Sequence, residues 1–189
     1  KLGFKYRKAN FSFSALYKDG QWQDGQLTDK NTLTLHEGSP VLHYGQGCFE
    51  GMKAITSVSN KVLLFRPDQN LKRFNTTARR LLMPEVSEKL FFDGIYNIIN
   101  SNLDWVPPYG HNASLYIRPI LIGVGENIGI SPAQEYLFHI FVNPVGPYYE
   151  GNEIPSINLN ITNFDRVPTN GIGHVKAVGN YAGGLYVVK

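Results

Sequence analysis

Residues 114–123, SLYIRPILIG, constrain this chain more than any other stretch: their apolar positions recur with a period of two, the repeat of an extended strand. Leu115, Ile117 and Leu121 point one way, and Tyr116, Arg118, Ile120 and Ile122 the other. Pro119 brings no backbone N–H to a ladder, so an edge position or a bulge is expected. Residues 136–143, YLFHIFVN, form a second strand rich in aromatic and β-branched side chains, and 32–35, 61–66 and 157–162 are shorter strand candidates. Between these runs the period lengthens. Asp68 is placed to cap a helix with Leu71, Phe74, Ala78 and Leu81 on one face and Pro84 beyond its end. A second helix over 91–105 turns Phe91, Ile95, Ile98, Ile99 and Leu103 inward, and Pro107-Pro108 stops it. Lys18-Asp19-Gly20 and Asp24-Gly25 mark turns. The mixture predicts an α+β domain, an antiparallel-rich sheet with flanking helices, ending near residue 155.

From Asn163 the texture changes. Gly171, Gly173, Gly179, Gly183 and Gly184 suit a loop that approaches something closely and crosses between domains. The chain starts at Lys1 without a Met and stops within Leu185-Tyr186-Val187-Val188. It is therefore expected to be a fragment, with 1–155 a small domain and 156–189 the interdomain loop and incomplete opening of a second.

Composition excludes several classes. Lys and Arg are scattered and the net charge is only +3, so no basic stripe is present for nucleic acid. No run of 18 apolar residues is available to span a membrane. Cys48 is the one cysteine and cannot form an internal disulfide, which favours a reducing compartment. His36, His43, His111, His139 and His174 lack metal-ligand spacing, so no metal is expected. No Walker loop or GxSxG elbow occurs, and Gly123-Val124-Gly125 lacks the rest of a dinucleotide fingerprint.

A few residues could carry chemistry. Lys176 lies among Val175, Ala177 and Val178, surroundings able to desolvate an amine so that it attacks a carbonyl; the plain alternative is a solvated loop lysine. Arg118 and Tyr116 share a strand face, a fork beside a phenol suited to a carboxylate, or an arginine paired with a surface acid. Arg73, beside Lys72, reads by itself as part of a solvated helix face. Tyr44 and Phe49 sit in a segment punctuated by Gly45, Gly47 and Gly51 and line either a pocket or the core, and Tyr148 and Tyr149 pose the same choice.

Five segments in order, HYGQGCFEGMKA (43–54), LFRPDQNLKRF (64–74), SLYIRPILIG (114–123), NPVGPYY (143–149) and HVKAVGNYAGG (174–184), resemble the branched-chain aminotransferases of the fold-type IV pyridoxal-phosphate enzymes. The resemblance implies that residues 156–189 open a PLP-binding domain and that the cofactor is pyridoxal 5'-phosphate. It implies that Lys176 bonds the cofactor's aldehyde and shuttles a proton between C4′ and the substrate α-carbon. Tyr181 would hydrogen-bond the cofactor's phenolic oxygen and Arg73 its phosphate. Tyr44, Phe49, Tyr116, Arg118 and Tyr148 match substrate-pocket positions, Arg118 taking the second carboxylate of glutamate. Ile130 matches a loop residue that reaches the partner subunit of a homodimer. The implied partners are branched-chain amino acids, 2-oxo acids and glutamate, in the cytoplasm or an organellar matrix. The family's acidic partner for the pyridine nitrogen would lie beyond Lys189, so the chain by itself is expected to be inactive. Two alternatives remain open: a D-amino-acid aminotransferase or aminodeoxychorismate lyase of the same fold, and a non-catalytic binding or assembly module.

Overall fold

Two long strands, β7 (Ser114–Val124) and β8 (Glu135–Val145), pair antiparallel along their whole length, from Ser114 opposite Val145 to Val124 opposite Glu135. The structure is a computed structural model that describes residues 2–148, 156–159 and 161–188. β8 pairs on its far side with β1 (Ser12–Lys18), which in turn carries β2 (Gln21–Trp22) and β3 (Gln26–Thr28) along its outer edge. The β1–β2 hairpin closes through Asp19 and Gly20, both at positive φ (52° and 80°), the two-residue turn in which Asp-Gly excels. On the other side, β7 accepts β4 (Gly47–Phe49) and then β5 (Met52–Thr56), and β5 carries β6 (Val62–Leu64). Among the described residues every pairing is antiparallel.

Two helices cover one face of this curled sheet. α2 (Pro67–Arg80) and α3 (Glu88–Asn100) bring Phe74, Ala78, Phe91, Ile95 and Ile98 against Phe13, Cys48, Met52, Ile117, Leu121, Phe138 and Ile140. Rings of Phe74, Phe91 and Phe138 meet at centroid separations of 5.8–6.2 Å. α3 is capped by Ser87, whose hydroxyl accepts from Leu90 N–H at 3.2 Å. A 3₁₀ turn (Leu103–Trp105) follows it, and a short helix α1 (Pro40–Tyr44) precedes β4. Two further helical turns, α4 (Gly179–Ala182) and α5 (Leu185–Val188), lie near the C-terminal end. Among the described residues, no helix is long and apolar enough to cross a membrane.

Several sequence expectations are corrected. β7 is a central strand, not an edge. Pro119 is tolerated because its carbonyl accepts from Glu50 N–H, so its donor-less nitrogen faces the break between β4 and β5 and removes no bond to β8. Residues 32–35 form no strand: they alternate but pair with no strand of the sheet. The described part of 157–162 forms none either, and Ile157, Leu159 and Ile161 are exposed. Alternation supplies a face but not a partner. Asp68 is not the cap of α2. Arg66 holds that position, with Pro67 at the first helical residue, and Asp68 accepts two bonds from Arg66 and one from Gln69. The second helix ends at Asn100, and the tighter 3₁₀ turn rotates Leu103 out of the apolar stripe into solvent. The expected domain boundary near 155 and Tyr149 lie outside the described residues.

Candidate active site

The site is built on the free edge of β4. Residues 176–178 lie along that edge: Cys48 bridges to Ala177, Phe49 N–H donates to Lys176 O at 3.4 Å, and Val178 N–H donates to Gly47 O at 3.0 Å. A segment rich in glycine is thereby fixed by the ladder bonds that an edge strand leaves vacant. Two more anchors hold it. Lys176 N–H donates to Thr77 Oγ1 on α2 at 3.0 Å, and Thr77 is fully buried. Asn180, also buried, donates from Nδ2 to the carbonyls of Ile172 and Val175, each at 2.8 Å.

Pairing along β4 sets the direction of the side chains. Successive residues alternate, so Cys48, Glu50, Met52 and Ala54 face the helices while Phe49 faces the opposite side. Lys176 emerges beside Phe49. Its Nζ lies 4.3 Å from the Phe49 ring centroid and donates to Tyr181 Oη at 2.9 Å. The Phe49 and Tyr181 rings are 4.9 Å apart. Arg118 stands on the same side, its Cζ 4.6 Å from the Phe49 centroid, and its Nη2 and Nε donate to Tyr116 Oη at 2.9 and 3.2 Å. Tyr116 lies over Gly51, where a Cβ would sit 2.2 Å from the phenol oxygen, so this position needs glycine. Among the described residues Arg118 makes no ion pair, so its positive charge is left for another anion.

Arg73 projects from α2, one helical turn before Thr77, and is held by Glu50. Its Nε donates to Glu50 Oε1 at 2.5 Å and its Nη2 to Oε2 at 2.9 Å. This side-on fork holds the guanidinium pKa above its ordinary value, with Glu50 as the main cause and Tyr181 contributing. Cys48, packed beside the pair, is no nucleophile: burial first, and Glu50 second, push its thiol up.

Lys176, Tyr181, Phe49, Arg118 and Tyr116 thus form one connected cluster, with Arg73 linked to it through α2. The other candidates lie elsewhere. The Tyr44 hydroxyl donates to Ile128 O, at a loop whose Ile130 is 89% exposed. Tyr148 is exposed and its ring meets Phe4 at 5.4 Å. Sequence reasoning missed Glu50, Thr77 and Asn180. Glu50 left a signal, since a carboxylate on the apolar side of the alternation Cys48, Glu50, Met52, Ala54 demands a cation. Thr77 left none, because its partner is ninety-nine residues away.

The fold matches the N-terminal part of solved fold-type IV aminotransferases. The solved Escherichia coli branched-chain amino acid aminotransferase superposes with a TM-score of 0.71 over 94% of this chain and 54% of that one, at 23% identity. The branched-chain aminotransferase of the archaeon Thermoproteus uzoniensis, solved with norvaline, gives a TM-score of 0.69 over 91% of this chain and 54% of that one, also at 23% identity. Another solved branched-chain amino acid aminotransferase, holding pyridoxamine 5'-phosphate, gives 0.68 over 95% of this chain at 21% identity. In sequence, the chain is 52% identical over 189 residues to the branched-chain-amino-acid aminotransferase of Helicobacter pylori, covering all of this chain and 56% of that protein. The Haemophilus influenzae protein of the same name is 50% identical over 184 residues. No protein-family model matches. The chain is similar to these branched-chain-amino-acid aminotransferases and spans about half the length of the curated relatives it matches.

Proposed function

We propose that this chain is the lysine-bearing part of a pyridoxal-phosphate enzyme that exchanges the amino group between leucine, isoleucine or valine and 2-oxoglutarate. The observation that carries this reading is the Lys176 amine, donated to Tyr181 and walled by Phe49, with its backbone tied to the helix that presents Arg73. The donor set matches the cofactor's three demands: an amine for an aldehyde, a hydroxyl for a phenolic oxygen and a cation for a phosphate. Pyridoxal phosphate, when bound, supplies a ring that takes up the electron pair left when the substrate α-carbon loses its proton.

The protein's own residues do the rest. Lys176 Nζ would hold the cofactor at its aldehyde carbon and, as a free amine, would take and return the proton of the substrate α-carbon. Tyr181 orients that amine through its hydroxyl. Arg73 holds the phosphate with the donors that Glu50 leaves vacant. Phe49 excludes water and offers an apolar wall to a branched side chain, whose full burial is worth ~1.5–3 kcal/mol. Arg118, steadied by Tyr116 and Phe49, receives the second carboxylate when glutamate occupies the site. Tyr44, Tyr148 and the exposed Ile130 complete the pocket in a homodimer, Ile130 reaching into the partner.

Borohydride reduction of the full-length protein with pyridoxal phosphate, followed by peptide mapping, tests the assignment. The adduct is expected on Lys176; an adduct on another lysine sinks it. Turnover of leucine with 2-oxoglutarate, and none of D-alanine, separates this activity from a D-amino-acid aminotransferase of the same fold.

A further inference from the structure

Glu50 is fully buried, yet every polar bond it makes is accounted for. Its backbone N–H donates to Pro119 O at the junction of β4 and β5, which fixes the root of the side chain. Oε1 accepts from Arg73 Nε, and Oε2 accepts from Arg73 Nη2, from Asn70 Nδ2 at 2.7 Å and from Gly51 N–H at 3.2 Å. Asn70 and Arg73 are three apart on α2, so two successive donors of one helix face close on the same carboxylate. The carboxylate therefore has one orientation. The Arg73 side chain, in contrast, is 56% exposed and without such a clasp would be free to sample many rotamers.

We propose that Glu50 is a positioning residue for cofactor binding: it fixes the Arg73 guanidinium in one orientation and leaves its outer donors for the phosphate of pyridoxal phosphate. This rests on Arg73 being the phosphate ligand, as proposed above. A guanidinium has five N–H donors; Glu50 takes two, and three remain. The Nη1 group makes no hydrogen bond among the described residues. Because the arginine is ordered before the phosphate arrives, binding does not have to order it. The carboxylate's negative charge is offset by the Arg73 guanidinium paired with it, and its oxygens are covered by Arg73, Asn70 and the Gly51 amide. The fork also explains the residue type: a lysine at 73 has one donor nitrogen and no planar fork to pair side-on with both carboxylate oxygens.

The test compares pyridoxal phosphate with pyridoxal, which lacks the phosphate, by absorbance titration of the full-length apoprotein. Glu50→Gln is expected to weaken pyridoxal phosphate about tenfold and pyridoxal less than about twofold. Arg73→Gln is expected to show the same selectivity. If Arg73→Gln is selective and Glu50→Gln weakens both cofactors equally, or neither, the positioning role is overturned. If Arg73→Gln shows no selectivity, the phosphate assignment itself fails. Should Glu50→Gln not fold, Asn70→Ala carries the test, because it removes one donor from Glu50 and leaves the ion pair. A loss of about two- to fivefold for pyridoxal phosphate alone supports the role, and an unchanged ratio between the two cofactors overturns it.

Discussion

The helix-covered face of the sheet and the strip of chain around Lys176 are held in place by different forces. The first is an apolar interface in which Phe91 stacks on Phe138, Phe74 meets both at a tilt, and Gly94 lets α3 descend until a Cβ there would lie 2.7 Å from Ile140. The second buries only Val175, Ala177 and Asn180, and leans on hydrogen bonds. The strip is tied down by Phe49 N–H donating to Lys176 O, Val178 N–H to Gly47 O, Lys176 N–H to the Thr77 hydroxyl and the Asn180 amide to Ile172 and Val175, while Leu185 and Tyr186 stand in solvent. Packing makes the body rigid; a handful of directional bonds places the amine. Stability and chemistry should therefore be separable by mutation.

The sharpest separation is at Lys176 itself. Lys176→Ala is expected to lower turnover by roughly 10²–10⁴-fold, the range for losing a positioned proton-transfer group, with an unchanged melting temperature. A large fall in melting temperature would show that the amine, rather than its backbone, holds the segment. Phe138→Ala is the converse. It empties the centre of the ring cluster and should cost about 3–5 kcal/mol in urea unfolding of the intact protein, with the remaining folded fraction still taking cofactor on Lys176.

Acid probes the sheet face that the helices do not cover. His139 lies on β8 beneath Ser14, whose hydroxyl meets Nδ1 at 2.8 Å, and burial pushes its pKa down from 6.5 to about 4. Above pH 6.5 neither the folded nor the unfolded chain protonates it, and its contribution is fully present. Between pH 6.5 and 4 the unfolded chain takes up a proton that the folded one resists, so stability falls as pH falls, by on the order of 3 kcal/mol in all. His139→Gln should flatten that limb of a stability–pH curve. An unaltered curve would mean that other groups cause the acid loss.

The two regions were also unequally legible in the sequence. Long, periodic elements declared themselves: 114–123 and 136–143 as strands, 68–81 and 91–105 as helices, the second ending earlier, at Asn100, because each repeats its burial pattern many times. Short alternations did not, since 32–35 carries the pattern of a strand without a partner, and partnership is not a local property. Pro119 misled for the same reason: its missing donor mattered only once the break between β4 and β5 was known to face it. At the site, the Tyr116–Arg118 pair was foreseeable from two-residue spacing, and the hydrogen bond between them follows from it. Arg73's tether to Glu50 and Lys176's tether to Thr77 were not, because each joins segments far apart in the chain.

Thr77 offers the smallest and most local test of the comparison. Its hydroxyl accepts from Lys176 N–H and donates to Arg73 O, each at 3.0 Å, so one buried side chain joins the backbones of the two proposed cofactor-contacting residues. Thr77→Val keeps the volume and removes both bonds. If directional bonds hold the strip, the Lys176 amide should exchange its hydrogen faster by about five- to tenfold, corresponding to ~1 kcal/mol of lost protection. Amides of β7 and β8 should not change, because the packed face does not feel the loss. Faster exchange across both strands would instead mean that strip and sheet open together, and that the two regions form one cooperative unit.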